Sequence, residues 1–278
     1  MKCLSGRDKW WHNFDVSLLS IVDVMGVAVN ESMVRVGSGR DVLGRVDNPV
    51  IRLPDGTPFI PGSSLKGVFR SLAESYLCSV VEGRIKSKYC NVDECPINVG
   101  SCNEFLTKCN ALPGSTSSEV PEYCVNYGLF GSQDTFSHIL FFDMLPKGGL
   151  VGSEMCIRDS SKPGTSIDRF LGSVREGALF TEEYIAPMTK WDFRIRLIGI
   201  LDEDKGCWCC AKEVLAWLLE VFTSVGIHVG GRKSVTGALM RLDRDSVRVD
   251  AYKVVDGGIV KEEHDFSWLI SELRKCKR

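Results

Sequence analysis

The chain has 278 residues, with 34 basic and 36 acidic side chains, a net charge of −2 and a 44% hydrophobic share; its mean hydropathy is −0.01 and its pI about 6.1. That length suits one large domain or two small ones with a real core, and the lack of any apolar run near about 18 residues excludes a membrane-spanning helix. Near-neutral charge excludes a uniformly basic nucleic-acid binder, although not local basic patches.

In chain order, Met1–Phe14 is polar and has no apolar stretch of a secretory signal, so a reducing, cytoplasmic setting without a disulfide scaffold is expected. Asp15–Val24 (DVSLLSIVDV) has the short, β-branched composition of a strand. Val27–Leu53 is punctuated by glycine and carries Arg35, Arg40, Arg45 and Arg52. Pro61-Gly62-Ser63-Ser64 predicts a turn and a serine N-cap. In the helix that follows, Leu65, Val68, Phe69, Leu72, Tyr76, Leu77 and Val80 recur three and four apart as one buried face, with Lys66 and Arg70 off it. Thr135–Leu145 reads as a buried strand. Val151–Ser160 (VGSEMCIRDS) looks like the translation of a transposase adapter end used in sequencing libraries, and Cys156, Arg158 and Asp159 are given no role. In Trp191–Leu201, Trp191, Phe193, Ile195 and Leu197 alternate with Arg194 and Arg196, as in a half-buried strand. A second helix is expected over about 211–225, and a strand pair over 239–255 turning near Asp243–Ser246. Strands and helices mix without regular βαβ alternation, which predicts an α+β chain.

Three features carry chemistry. Five of the 12 cysteines, Cys90, Cys95, Cys102, Cys109 and Cys124, fall in a stretch rich in Asn, Gly, Pro and Ser that cannot bury much apolar surface. Zn²⁺ held by four of the five would supply the missing folding energy. Cys207, Cys209 and Cys210 precede the second helix and are expected to pack in the core. The Pro61–Ser64 turn delivers a helix N-terminus suited to phosphate, with Lys66 one turn in. Gly226–Arg241 (GIHVGGRKSVTGALMR) pairs consecutive glycines, which let a backbone approach a ligand, with Arg232 and Lys233. No P-loop, dinucleotide fingerprint, nucleophile elbow or H-E-x-x-H occurs, so those chemistries lose their usual support.

Together these stretches resemble the RAMP superfamily, and more closely the backbone subunits of type III CRISPR effector complexes. The resemblance rests on Asp47-Asn48-Pro49-Val50-Ile51, then Pro58–Gly67 (PFIPGSSLKG) and Arg70. Three later matches join it: Cys124–Ser132; Ser166-Ile167-Asp168-Arg169 followed by Gly177–Phe180 and Glu183; and Gly230–Ser234 with Gly237. It departs where Met188 replaces the glycine of a Pro-Gly turn, and where Ala238-Leu239 replaces a glycine-rich continuation.

The resemblance implies a single domain over 1–278 with a modified RRM/ferredoxin-like core, a hairpin thumb and a zinc-binding insertion over about 86–126. It implies guide CRISPR RNA, target RNA, other effector subunits and further copies of itself as partners, with no membrane. Asp47 stands at the position of the family's catalytic aspartate, which implies Mg²⁺-dependent cleavage of target RNA; read from residue type alone, Asp47 caps the turn before Pro49, and Asp41 is a nearby rival. RNA contacts are expected from Arg35, Arg40, Arg45, Arg52, Ser63, Ser64, Lys66, Arg70, Arg169, Gly230, Gly231, Arg232, Lys233 and Ser234. Two alternatives keep the same fold: a non-catalytic RNA-binding subunit, and a metal-independent endoribonuclease that processes guide RNA by acid–base side chains.

Overall fold

The periodicities above become the elements of a computed structural model, which describes residues 20–37, 47–81, 83–90, 125–131, 136–148, 160–167, 174–202, 207–231, 233–255 and 258–276. In chain order these hold β1 (Ser20–Asn30), α1 (Gly62–Val81), α2 (Val125–Phe130), β2 (Ile139–Phe141), β3 (Leu145–Pro146), β4 (Ser160–Ile167), β5 (Val174–Tyr184) and β6 (Lys190–Ile198). They continue with α3 (Cys207–Ser224), β7 (Ile227–His228), α4 (Lys233–Thr236), β8 (Leu239–Val255), β9 (Gly258–Asp265) and α5 (Phe266–Leu273). The cysteines at 95, 102, 109 and 124, most of the adapter-like segment, and Arg40, Asp41, Arg45, Arg169 and Arg232 lie outside the described residues.

Among the described residues seven strands form one antiparallel sheet along the path β2-β6-β1-β8-β7, with β3 against β6 and β9 against β8. The inner part, β1-α1-β2-β6-α3-β8 with strand order β2-β6-β1-β8, is the ferredoxin-like plan. The hairpin β4–β5 forms a separate two-stranded sheet. No helix among the described residues is long and apolar enough to cross a membrane.

Alternation fixes which face of the sheet is dry. Val22 pairs with Leu197, Val24 with Ile195 and Ala28 with Trp191, and all six are buried. Against that face pack Leu65, Phe69 and Leu77 of α1 and Leu215, Leu218 and Phe222 of α3. Phe222 meets the edges of both Phe69 and Phe193, with ring centroids 5.8 and 5.3 Å apart. Each such side chain, taken from water, contributes about 1.5–3 kcal/mol. Lys212, in α3, is also fully buried.

Several local expectations shift. The first strand, β1, runs on past Val24 to Asn30, because its apolar residues keep finding partners on β6 and β8; residues 15–19 of the expected strand lie outside the described residues. The 135–145 run breaks into β2 and β3. The second helix begins at Cys207, so the cysteines lie inside it. Residues 239–255 are one strand and not a hairpin. The turn chemistry at Asp243–Ser246 is real, yet it is spent on a bulge: the β1–β8 register jumps between Met25 and Val27, and the Ser246 hydroxyl accepts from the Val27 amide at 2.8 Å. The serine N-cap gives way to a distant one. The helix starts at Gly62, whose amide donates to Asp143 Oδ1 at 2.7 Å, leaving Ser63 and Ser64 in the first turn.

Candidate nucleic-acid interface

Residues 47–52 lie as a strap along the end of β5, and each contact has its own cause. Asn48 donates its amide to the Thr181 carbonyl and accepts from the Glu183 amide, both at 3.2 Å. Pro49 has no amide to satisfy. The Val50 amide donates to Glu183 Oε2 at 2.7 Å, and Arg52 Nη2 reaches Glu183 Oε1 at 2.7 Å. Asp47 is fastened by its side chain: Oδ2 accepts from the Thr181 amide at 2.7 Å and the Thr181 hydroxyl at 3.1 Å, while the Asp47 amide donates to Thr181 Oγ1 at 3.2 Å. Asp47 therefore caps a backbone group on β5, 134 positions away.

Among the described residues no group of three or more His, Cys, Asp or Glu side chains converges as a metal site. A single carboxylate still fits Mg²⁺ in the way that ion commonly binds at phosphates, with one or two protein oxygens and the remainder from water and substrate. Asp47 would be that oxygen donor.

Arg35 joins β5 to the glycine-rich loop. Its Nη1 pairs with Glu182 Oε1 at 3.3 Å, with side chains only 14% and 7% exposed, and Glu182 also accepts from the Tyr184 hydroxyl at 2.6 Å. The Arg35 carbonyl accepts from the Gly231 amide at 2.8 Å. Gly230 has φ +94°, and a Cβ there would stand 2.2 Å from that carbonyl oxygen. The paired glycines thus serve a close approach of two backbones of the same chain. Beyond them, Lys233 and Ser234 are exposed on α4, and the His228 ring bonds to the Gly237 carbonyl.

The other expected RNA contacts separate. Arg52 and Arg70 are held in ion pairs, with Glu183 and with Glu74 at 3.2 Å. At the start of α1, Ser63 is exposed while Ser64 and Lys66 are half-buried. The Asp143 carboxylate already complements that helix end, where negative charge is favoured. A Cβ at Gly62 would lie 2.3 Å from the Phe141 carbonyl oxygen, so this glycine too answers to its own chain.

On the face of the sheet opposite the helices, Arg194 Nη2 and Arg196 Nε reach the Asp23 carboxylate at 2.8 and 2.6 Å. Burial alone would raise the Asp23 carboxyl, but its hydrogen bonds and the charges of Arg196 and Arg194 outweigh this and hold it below its ordinary value. Arg194 also lies 4.6 Å from the Phe142 ring centroid. These two arginines neutralise a buried acid.

Cys90 departs from expectation as well. It is disulfide-bonded to Cys210, and Cys209 to Cys276; Cys78 is disulfide-bonded too. The expected absence of disulfides is therefore corrected: the fold brings together cysteines 120 and 67 positions apart, a proximity that spacing along the chain does not reveal. Thr181, Glu182 and Asp143 join the site without having been expected from the sequence. The polar run Thr181-Glu182-Glu183, inside a strand, was the signal for the first two.

A family model described as the RAMP superfamily matches residues 31–235, a span that includes the strap, α1, the β4–β5 hairpin, α3 and the glycine-rich loop as far as residue 235. No curated protein matches the chain.

Proposed function

Because the chain belongs to the RAMP superfamily, we propose that it is an RNA-binding backbone subunit of a type III CRISPR effector complex, which holds guide RNA and cleaves complementary target RNA at Asp47 in a Mg²⁺-dependent way. One convergence carries the reading. Stretches matched far apart in sequence meet around the end of β5: Asp47 on Thr181, Arg35 on Glu182, and Gly231 on Arg35. Lys233 and Ser234, exposed beside Gly231, offer a cation and a hydroxyl to RNA phosphates. Arg35 and Arg52 act through the fold, since their ion pairs with Glu182 and Glu183 hold loop and strap in place. Mg²⁺, when bound, would activate the attacking hydroxyl and offset phosphate charge. Thr181 keeps the Asp47 carboxylate in one orientation.

Guide RNA, target RNA, neighbouring subunits and further copies of the chain are its partners in the cytoplasm. With Cys90 engaged by Cys210, the zinc reading rests on Cys95, Cys102, Cys109 and Cys124; zinc analysis of the purified chain tests it, and metal-free protein rejects it.

The deciding experiment is Asp47→Ala in a reconstituted complex. Regularly spaced cleavage of target RNA should disappear while guide binding persists; unchanged cleavage removes Asp47 from the reaction. One observation favours a non-catalytic subunit as the second reading: both bonds from Thr181 end on the same Asp47 oxygen, as they would for an aspartate that only ties the strap down. A complete complex with intact Asp47 that gives no product in Mg²⁺ would establish it.

A further inference from the structure

The start of α3 gathers chemistry that the RNA reading does not use. Cys90 is bonded to Cys210 and Cys209 to Cys276, so two adjacent residues of one helical turn hold the segment leading into the cysteine-rich stretch and the segment after α5. Cys90, Cys209 and Cys210 are 7%, 4% and 0% exposed, whereas Cys276 is half-buried. Non-covalent contacts follow the same routes. Glu213 accepts from the Tyr76 hydroxyl at 3.0 Å, the Ser87 hydroxyl at 2.8 Å and the Tyr89 amide at 2.9 Å. The Tyr89 hydroxyl reaches the Arg274 carbonyl at 3.4 Å and the Cys276 carbonyl at 3.5 Å.

We propose that the two bonds form a reversible thiol–disulfide clamp, which fixes residues 83–90 and 274–276 to α3 when oxidised and frees both when reduced. The oxidant class is a small-molecule disulfide. For each pair, one cysteine thiolate attacks a sulfur of the small disulfide and expels one small thiolate. The second cysteine then attacks the protein sulfur of the mixed disulfide, closes the protein bond and expels the other. Two protein thiols lose two electrons and two protons, and the small disulfide leaves as two thiols; a dithiol reverses the sequence. Access sets the order. Cys276 lies nearest the surface, so Cys209–Cys276 opens first and the buried Cys90–Cys210 second.

The full chain, equilibrated in buffers of graded small-thiol to small-disulfide ratio, quenched and mapped as unreduced peptides, tests the proposal together with amide exchange. The expected result is both linkages in oxidising buffer, and loss of Cys209–Cys276 at a less reducing ratio than Cys90–Cys210. Exchange over 83–90 and 274–276 should rise by about tenfold or more on reduction, while β1 and β6 keep their protection. Cys276→Ser should abolish the first linkage and leave 83–90 protected. Any other pairing of Cys90, thiols that stay free in fully oxidising buffer, bonds that a dithiol does not open, or equal exchange in both states would overturn the clamp. None of these outcomes depends on RNA cleavage.

Discussion

The Asp47 carboxylate is tied to Thr181, which donates to it from both its amide and its hydroxyl, at 2.7 and 3.1 Å. The hydroxyl also accepts from the Asp47 amide at 3.2 Å. The position of the strap therefore depends on a side chain of the β4–β5 hairpin. Thr181→Val keeps the shape, removes the hydroxyl and leaves the Asp47 amide without that acceptor. It should destabilise the chain by about 1–3 kcal/mol in urea titration, and Thr181→Ser should restore most of the loss. Equal stability of the Val and Thr forms would show that the backbone bonds alone hold the strap.

Gly230 and Gly231 look equivalent in sequence and differ in space. A Cβ at Gly230 would stand 2.2 Å from the Arg35 carbonyl oxygen, at a φ of +94°, whereas at Gly231 the nearest atom is 3.9 Å away. Gly230→Ala should cost about 2–3 kcal/mol and shift the loop, with weaker guide-RNA binding in a filter assay. Gly231→Ala should leave stability within about 0.5 kcal/mol of the parent.

Met188 and Ala238 are the non-glycine residues with positive φ among those described, at +64° and +46°, and both replace glycines expected from the resemblance. Met188 follows Pro187, its amide donates to the Asn30 carbonyl at 2.7 Å, and its side chain is exposed. The left-handed conformation costs a side chain about 1–2 kcal/mol, and little packing is lost with this one. Met188→Gly should stabilise the chain by about 1 kcal/mol and raise its melting temperature in calorimetry. A lower melting temperature would mean that the exposed side chain packs usefully after all.

Two buried groups, His138 and Asp23, contribute to the acid response, and both lose stability as pH falls. His138 is buried, its ring bonded to the Ile198 carbonyl at 2.8 Å; burial lowers its pKa from the ordinary 6.5, and the bond to Ile198 only partly opposes this. The unfolded chain binds the proton first, so this contribution is intact above about 6.5 and declines below it as pH approaches the folded value. Asp23, also depressed, keeps its contribution above its ordinary 3.8 and loses it as pH falls further toward the folded value. Denaturant titrations from pH 7 to pH 3 should show the two declines separately. Asp23→Asn should remove the lower one and leave the upper; a parent-like lower limb in that variant would assign the decline to other carboxylates.

Local pattern was enough to read α1 and β6. The three-and-four spacing from Leu65 to Val80 becomes the buried face of α1, and the alternation from Trp191 to Leu197 becomes β6, because such periods report burial within a single element. The strap, the glycine pair and the family resemblance were legible for the same reason: each is a short contiguous run. The adjoining partners were not. Asp143 caps α1 from 81 positions away, Thr181 holds Asp47 from 134, Glu182 takes the charge of Arg35 from 147, and Cys210 takes the thiol of Cys90 from 120. Sequence alone thus determined the residues of α1 and β6 and the family resemblance. Tertiary structure decided that Arg35, Arg52 and Arg70 are paired, that Gly230 answers to Arg35, and that Cys90 bonds within the core, because hydrogen bonds, ion pairs and disulfides follow distance in space, which chain folding sets and local composition does not.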